Sequence, residues 1–464
     1  MSKWVLLLAG LSWAACASPP DEAEGSIETP IPRDVPPAAP DSVNPDMGVS
    51  VRSEAVAARG RDLAGAYSAT KASGLDERRF TSDEYWAAFD PVLADKDGLR
   101  VTTIGRSAEG RPLRMIRLGD GAIPVLLWSQ MHGNESTASM ALVDVVNFLT
   151  TRRDHPTARA IHQALDVAIV PMLNPDGAER FQRRNAQGID INRDARALQT
   201  PEGQALKRVR DDLEPEFAFN LHDQQVGTRV GTTSRGAAIA LLAPPQDESR
   251  RVTPARGRAF RVSSVIRDAI EPFVQDHISK YDDTFNPRAF GDLITQWGAS
   301  TILIESGSVP DDPQKQELRR INFVAILAAL ESIADGSYQI ADPDRYHDLP
   351  YNGRSLADLV IRGGTLRIPG LPDLRADLLI SYDEPLLETG GVITDIGDLR
   401  DVETRDTIDA TGLYLLALDE ALTFDEDGTA HLPTGAPAYL IASPLPDGSV
   451  PEWDFRGHFE RTRR

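Results

Sequence analysis

Short, almost wholly apolar runs that alternate with longer amphipathic segments constrain the fold of this chain more than any other feature. Such alternation predicts an α/β layered domain with a mostly parallel or mixed sheet. Strands that are apolar at successive positions are typical of a sheet covered on both faces. The predicted strands lie at 125–128, 167–170, 218–221, 238–242 and 301–304. The predicted helices lie within 53–95 and at 138–149, 263–277 and 317–333.

The texture of the chain changes after about residue 340. Short β-like runs, such as those at 359–361 and 439–441, are there separated by Gly, Pro and Asp. We therefore expect a first domain over 53–340 and a separate small β-rich domain over 345–464. The second domain contains no residue pattern from which we predict a reaction.

The beginning of the chain resembles a bacterial lipoprotein signal. Lys3 precedes an apolar run at 4–15, which ends in two alanines before Cys16. We expect a signal peptide over 1–15, lipidation of Cys16, and an acidic Pro-rich tether over 16–52. The protein would then be exported and lipid-anchored to a bacterial membrane, in the periplasm or at the cell surface. The alternative is an ordinary secretory signal with an incidental cysteine.

Charge and cysteine content exclude several classes of site. The 464 residues contain 49 Lys and Arg against 70 Asp and Glu, which gives a net charge of -21. Nucleic acid is therefore not an expected partner, because its phosphates would be repelled. A single cysteine excludes an intrachain disulfide and any zinc site built from cysteines.

Histidines close to the ends of predicted strands are the candidates for a metal site. His132 and Glu135 can both reach one metal ion if the chain turns sharply at Gly133. His222 follows the run at 218–221 and could supply a third ligand. The alternative for an isolated histidine of this kind is a structural role at a strand end. Glu305 ends the run at 301–304 and is a candidate general base, although a capping or surface role is commoner for Glu.

Between these candidates lies a stretch rich in arginine. Arg183 and Arg184 precede the sequence Gly-Ile-Asp-Ile-Asn-Arg at 188–193. Arginine close to a metal site can bind an anionic substrate group or a developing oxyanion. A solvated loop surface is the alternative for such a group of charges.

Taken together and in this order, the motifs of residues 100–335 resemble the zinc metallocarboxypeptidases of the carboxypeptidase A kind. The resemblance is carried by His132-x-x-Glu135, the Asn-Pro-Asp-Gly at 174–177, the 188–193 motif, His222 and Glu305. It implies a mixed eight-stranded sheet sandwiched by helices, with the small β-rich domain added at the C-terminal end. It also implies one Zn²⁺ per chain and hydrolysis of the C-terminal peptide bond of peptides.

The resemblance also implies a role for each matching residue. His132, Glu135 and His222 would bind zinc together with a water, and Glu305 would act as the general base. Arg183 would stabilise the oxyanion, although the sequence does not separate it firmly from its neighbour Arg184. The substrate carboxylate would be held by Asn192 and Arg193. Asp190 would orient His132, and Tyr281 is the candidate for a substrate-closing tyrosine.

One departure from the family pattern concerns the residue after the Asn-Arg pair. Asp194 stands where Asn is frequent, and we expect its charge to lie beside the carboxylate site.

Two other functions are consistent with the same sequence. The substrate could be a muropeptide, which would make the protein a carboxypeptidase or amidase of peptidoglycan stem peptides. Alternatively, the protein could be a catalytically silent, surface-anchored binding protein that recognises its partner through residues 345–464. The complete set of predicted ligands and Glu305 favour an enzyme over the binding protein. Its expected substrate is a peptide or muropeptide with a free carboxylate.

Overall fold

The computed structural model of this chain describes residues 45–94, 96–455 and 460–461, with side chains from 52 to 94 and from 96 to 455. The predicted signal peptide, Cys16 and the predicted tether up to residue 44 lie outside the described residues. The first helix begins at Pro45, inside the stretch that we assigned to the tether. None of the helices in these ranges has the length and apolar character needed to cross a bilayer.

A central sheet of eight strands organises the first part of the chain. Its spatial order is β1-β2-β4-β3-β5-β8-β6-β7, with parallel pairing between β4, β3, β5 and β8 and antiparallel pairing of β1 with β2, β2 with β4, and β8 with β6. The strands are β1 (Leu99–Arg106), β2 (Pro112–Leu118), β3 (Ile123–Ser129), β4 (Leu165–Val170), β5 (Phe217–Asp223), β6 (Ile239–Leu242), β7 (Ile278–Lys280) and β8 (Ser300–Ser306).

Helices cover both faces of this sheet, as two large clusters of buried apolar side chains show. They are α1 (Pro45–Tyr67), α2 (Ser82–Leu93), α3 (Thr137–Thr151), α4 (Pro156–Ala164), α5 (Pro175–Glu179), α6 (Pro201–Leu213), α7 (Pro254–Val274), α8 (Phe290–Gln296), α9 (Gln316–Ala334) and α10 (Asp344–His347). This arrangement confirms the predicted fold class, a mixed sheet between layers of helices.

The extent of burial of each strand explains why some strands could be predicted from the sequence and others could not. The five apolar runs fall on β3, β4, β5, β6 and β8, and all seven residues of β8 are buried. In contrast, β1 is largely exposed, so its alternating polar residues gave no continuous apolar signal. The helix predicted at 263–277 begins earlier, at Pro254, and ends at Val274.

A buried ion pair binds the segment between α1 and α2 to the core. Arg319 and Asp144 are both fully buried, and Arg319 Nε lies 2.6 Å from Asp144 Oδ2. Arg319 also donates to the carbonyl oxygens of Ala72 and Leu75, while Asp144 Oδ1 accepts from the backbone N–H of Ala72. The N-terminal helices are therefore an integral part of the first domain.

The C-terminal part is β-rich, as predicted, and has its own apolar core. Its main sheet has the order β11-β10-β9-β13-β16-β17-β18, with β12 paired to β9, and β14 and β15 form a separate pair. The strands are β9 (Ala357–Arg367), β10 (Leu374–Ser381), β11 (Val392–Gly397), β12 (Thr404–Asp409), β13 (Tyr414–Ala417), β14 (Thr423–Phe424), β15 (Ala430–His431), β16 (Leu440–Ser443), β17 (Trp453–Asp454) and β18 (Glu460–Arg461).

β-Bridges and backbone hydrogen bonds join the two parts of the chain at their boundary. Residues 350–356, which lead into β9, form β-bridges with both Val230 and Lys280 of the first part. Asn352 N donates to the Lys280 carbonyl at 2.8 Å, and Gly353 N donates to the Arg229 carbonyl at 2.7 Å. The chain from residue 46 onward forms one compact unit.

Candidate active site

The candidate site lies at one edge of the central sheet, where its parallel strands end. β5 carries His222 and β8 carries Glu305, and these two residues are paired in register. Adjacent strands lie about 4.8 Å apart and paired residues point to the same face, so both side chains reach the same cavity. His132 follows the end of β3, the next strand along.

A close backbone approach fixes the turn that carries His132 and Glu135. A Cβ atom at Gly133 would lie 2.0 Å from the carbonyl carbon of Gly177, so only glycine fits there. Gly177 belongs to α5, whose N-cap Asn174 accepts from the Gly177 N–H at 2.8 Å. Close approach, rather than an unusual turn conformation at Gly133, is therefore the reason for glycine at this position.

His132, Glu135 and His222 converge on one point. Their candidate ligand atoms all lie within 4.8 Å of one another, and all three residues are buried. Glu135 Oε1 lies 2.8 Å from His132 Nδ1, and Glu135 Oε2 lies 2.7 Å from His222 Nδ1. Two imidazole nitrogens and a carboxylate are a donor set that suits zinc.

The hydrogen bonds around His132 test whether this donor set fits a metal ion. His132 Nε2 lies 3.0 Å from Asp190 Oδ1, a partner that favours the tautomer with hydrogen on Nε2. The lone pair of Nδ1 then faces the Glu135 carboxylate, and a cation close to both atoms is favourable. Arg183 Nη1 lies 3.1 Å from each of them on one side, and the nearby His222 Nδ1 completes a donor set for a metal ion. The three side chains therefore fit Zn²⁺.

The charges of the site shift the pKa values of its carboxyl groups. Burial alone would raise the pKa of Glu135, but His132 and His222 outweigh burial and lower it. The pKa of Asp190 is also lowered, because His132 and Arg183 outweigh the effect of its burial. Both groups are therefore carboxylates at neutral pH.

Arg183 and Arg184 occupy different environments although they are adjacent. Arg183 lines the cavity, with Nη1 at 3.1 Å from Glu135 Oε1 and Nε at 3.1 Å from Asp190 Oδ2. Its side chain is 44% exposed, so part of the guanidinium remains accessible to a substrate. Arg184 instead donates to the Gly188 carbonyl and is not among the residues that line the cavity. The structure does not bring Arg184 to the site.

Asn192 and Arg193 lie together on a short 3-10 turn that lines the cavity. Asp190 caps this turn, since its Oδ1 accepts from the Asn192 N–H at 2.9 Å. Asn192 Oδ1 accepts from the backbone N–H of Phe290 at the start of α8, which holds the amide in place. Asp190 therefore links the turn to His132.

Asp194 differs from our expectation. The sequence suggested that its charge lies beside the carboxylate site, but Asp194 is buried and faces the start of α6. Its Oδ2 accepts from both the backbone N–H and the hydroxyl of Thr200, each at 2.7 Å. Asp194 therefore holds Thr200, the N-cap residue of α6, and does not line the cavity.

Glu305 and Tyr281 face the same cavity. Burial raises the pKa of Glu305, and the neighbouring carboxylates of Glu135 and Asp223 raise it further. The Tyr281 side chain is 39% exposed, and its pKa is raised by burial and then by Glu305 and Glu135. The phenol therefore lies within electrostatic reach of both acids.

Lys315 and Asp223 are site residues that the sequence analysis missed. Lys315 Nζ lies 2.9 Å from Asp223 Oδ2, and both side chains are buried. Asp223 follows His222 directly, which was a usable signal. The sequence contains no comparable signal for Lys315, because it lies 92 residues after Asp223.

The cavity has a volume of about 1190 Å³ and is lined by both parts of the chain. From the first part come the predicted ligands, Arg183, Asn192, Arg193, Tyr281 and Glu305, together with Arg78, Phe181, Asp292 and Lys315. From the C-terminal part come Tyr351, Asn352, Gly353, Ser355, Leu356, Asp358 and residues 381–386.

Comparison with known proteins gives the same assignment as the motifs. Residues 90–230 match the family model described as zinc carboxypeptidase. This part of the chain is similar to the zinc carboxypeptidases. The matched segment contains His132, Glu135 and His222, so the ligand cluster lies within the family's own sequence. The resemblance that the motifs suggested is confirmed, and this match indicates a metallopeptidase.

Individual relatives match over limited lengths. Carboxypeptidase SOL1 of Arabidopsis thaliana is 32% identical over 102 residues, which are 20% of this chain and 21% of that protein. Carboxypeptidase D of Homo sapiens is 30% identical over 171 residues, which are 27% of this chain and 12% of that protein. An uncharacterised protein of Zymomonas mobilis is 27% identical over 137 residues, 29% of this chain and 36% of that protein. The chain therefore spans about a third or less of these relatives.

Among solved structures, a metallo-carboxypeptidase from Burkholderia cenocepacia is 19% identical. The match covers 56% of this chain and 70% of that one, with a TM-score of 0.46.

Proposed function

We propose that this chain is a zinc-dependent carboxypeptidase that hydrolyses the last peptide bond of peptides with a free C-terminal carboxylate. The observation that carries the proposal is one cavity that contains both halves of the required chemistry. It contains the His132, Glu135 and His222 cluster with Glu305, and it also contains the Asn192 and Arg193 pair. A metal ligand set without a carboxylate-binding pair would not favour removal of C-terminal residues.

The carboxylate-binding pair would select the substrate. The Arg193 guanidinium can hold a carboxylate through two parallel N–H donors, and the Asn192 amide can add a third. The Asn192 amide is fixed by its bond to the Phe290 N–H, so little conformational freedom is lost on binding. The pair would position the last peptide bond of the substrate beside the ligand cluster.

Zinc held by His132, Glu135 and His222 would polarise the scissile carbonyl and make water a stronger nucleophile. Glu305 would accept a proton from the attacking water and deliver it to the leaving amine. Burial and the neighbouring carboxylates raise the pKa of Glu305, which strengthens it as the base that accepts the proton of the water. Arg183 would donate to the developing oxyanion.

A peptide panel on the zinc-loaded full chain tests this function. We expect release of the last residue from peptides with free C-termini, no cleavage of the same peptides with C-terminal amides, and loss of activity with a chelator. Glu305→Gln should retain zinc yet lose activity. The matched control is Glu317→Gln, because Glu317 pairs with Arg320 and does not line the cavity. Cleavage of the amides at the same rate would contradict the proposal.

Muropeptides belong in the same panel because the sequence left peptidoglycan stem peptides open as substrates. Cleavage of muropeptides alone would assign the enzyme to cell-wall trimming. Bound zinc without turnover of any peptide would favour the surface-anchored binding protein.

The location of the protein is a separate proposal, based on the sequence of residues 1–16. We propose export and lipid anchoring at Cys16, with the peptidase on the periplasmic or outer face of a bacterial membrane. Metabolic labelling with a radioactive fatty acid should label the full chain and not Cys16→Ser. Labelling of both, or of neither, would contradict the anchor.

A further inference from the structure

The C-terminal part of the chain forms one wall of the cavity, and this bears on which substrates can enter. The wall consists of residues 381–386, in the loop between β10 and β11, together with Asp358 of β9. The matched family segment, 90–230, ends well before these residues.

Contacts within the C-terminal part hold the wall in place. Asp358 Oδ2 accepts from the backbone N–H of Tyr382 at 2.9 Å and from the Ser381 hydroxyl at 3.3 Å. Arg405 of β12 lies 3.2 Å from Asp358 Oδ1 and donates to the Pro385 carbonyl at 2.9 Å. These contacts fix the start of the loop to two strands, so it forms a firm boundary rather than a loose flap.

The wall is also joined to the first part of the chain at its front edge. Glu384 forms an ion pair with Arg78, and their side chains are 32% and 13% exposed. The Arg78 guanidinium lies 4.8 Å from the ring centre of Phe181, and the Arg78 carbonyl accepts from the Ser136 hydroxyl. Ser136 follows Glu135, so the ion pair spans the cavity beside the ligand cluster.

A third set of contacts joins the two parts along another side of the cavity. Leu356 N donates to the Gly227 carbonyl at 2.9 Å, and Asn352 Nδ2 donates to Gln224 Oε1 at 2.7 Å. Residues 224–227 follow the end of β5 directly. The segment before β9 therefore lies against the loop that continues from His222.

The carboxylate-binding pair lies on different supports. Asn192 contacts the start of α8, and the Arg193 carbonyl accepts from Arg288 Nε. A substrate held at Arg193 with its last peptide bond at the ligand cluster extends its remaining residues away from Arg193. The Arg78–Glu384 pair adjoins the ligand cluster through Ser136, so the wall lies beside the bond that would be cleaved.

We propose that the wall formed by residues 381–386, closed by the Arg78–Glu384 ion pair, restricts this enzyme to short peptides. The inference rests on the proposed carboxypeptidase function and adds its substrate class. The cavity that Arg193 shares with the wall has a volume of about 1190 Å³ and would accept peptides of a few residues. Longer chains meet residues 381–386 and must displace the loop before their last peptide bond reaches Glu305.

The test uses the zinc-loaded full chain and unstructured, N-acetylated peptides that share their last three residues and differ only in length. We expect the wild-type kcat/KM to fall by at least about tenfold between peptides of four residues and of twelve. Glu384→Gln, and a variant in which Gly-Gly replaces residues 384–388, should raise the long-to-short ratio of kcat/KM at least about threefold. Both lengths are measured on the same protein, so a loss of stability does not change the ratio.

A second ion pair between the two parts provides the matched control. Arg229 and Glu403 also join the first part to the C-terminal part, but neither lines the cavity. Glu403→Gln should leave the length ratio at the wild-type value. Equal wild-type kcat/KM for short and long peptides, or an unchanged ratio in both wall variants, would overturn the inference while leaving the proposed function intact. Absence of turnover at every length would overturn both.

Discussion

Lys315 Nζ lies 2.9 Å from Asp223 Oδ2, and only 3% and 7% of the two side chains are exposed. The same ammonium lies 3.3 Å from the Ser306 carbonyl, and Asp223 also accepts from the Thr137 hydroxyl at 2.7 Å. Asp223 follows His222 and Ser306 follows Glu305. One buried cation thus joins the ends of the two strands that carry a predicted zinc ligand and the predicted general base.

Removal of this cation should destabilise the protein. Lys315→Met leaves the Asp223 carboxylate buried without its partner, and we expect the free energy of unfolding to fall by about 3–5 kcal/mol. The double variant Asp223→Asn with Lys315→Met removes both charges and should be more stable than Lys315→Met alone. Urea unfolding of the metal-free proteins measures both values. If the loss of unfolding free energy in the double variant equals the sum of the losses in Lys315→Met and Asp223→Asn, the two residues are not coupled.

The two neighbouring arginines offer a comparison that separates reaction chemistry from general charge. Arg183→Ala should lower kcat/KM by about 10²–10³, the usual effect of losing one oxyanion donor. Arg184→Ala should change it by less than about twofold, because Arg184 faces the Gly188 carbonyl. Zinc content is measured in both, since Arg183 also contacts Glu135. Equal losses in the two variants would exclude the assigned role.

Arg193 should govern the preference for a free carboxylate. Arg193→Met removes the charge-assisted hydrogen bonds to the substrate, each with a net value of about 1.5–3 kcal/mol. We therefore expect kcat/KM for free-acid peptides to fall by at least about 10–150-fold, the effect of losing one such bond, while any cleavage of the C-terminal amides stays unchanged. The ratio of the two rates is the measurement. A variant that still prefers the free acid by the wild-type factor would place the carboxylate site elsewhere.

Asp292 gives a prediction on pH. Burial raises its pKa to about 6, although its Oδ1 accepts from the Asn286 N–H and Arg193 opposes the shift. The folded state then binds more protons than the unfolded chain between about pH 4 and pH 6. The contribution of Asp292 to the free energy of unfolding should therefore decrease as the pH rises through that range, by up to about 3 kcal/mol.

Asp292→Asn removes this titration while keeping a side-chain oxygen. The stability of the variant relative to wild type should rise from pH 4 to about pH 6.5 and stay level above it. Denaturant unfolding of both metal-free proteins across this range gives the difference, in which the other titrating groups cancel. A difference that is flat with pH would mean that Asp292 is ionised at low pH in the folded protein.

The sequence was informative wherever a residue's environment depends on its immediate neighbours. The buried parallel strands β3, β4, β5 and β8 were predicted because both faces are covered, so nearly every position must be apolar. The candidate metal ligands could be predicted for the same reason. The end of an apolar run marks the end of a strand, and the polar residues that follow it are the candidates. The exposed strand β1 and the three-residue β7 carry no such pattern and were missed.

The sequence by itself determined the family resemblance, the class of fold and the candidate residues for the chemistry, because these depend on local motifs and on periodic burial. Only the tertiary structure decided which of Arg183 and Arg184 faces the cavity, since both lie on one irregular loop. It also paired Lys315 with Asp223 and Glu384 with Arg78, across 92 and 306 residues. Ion pairs between residues so far apart produce no sequence pattern in either segment, because the two charged side chains come together only when the core has folded.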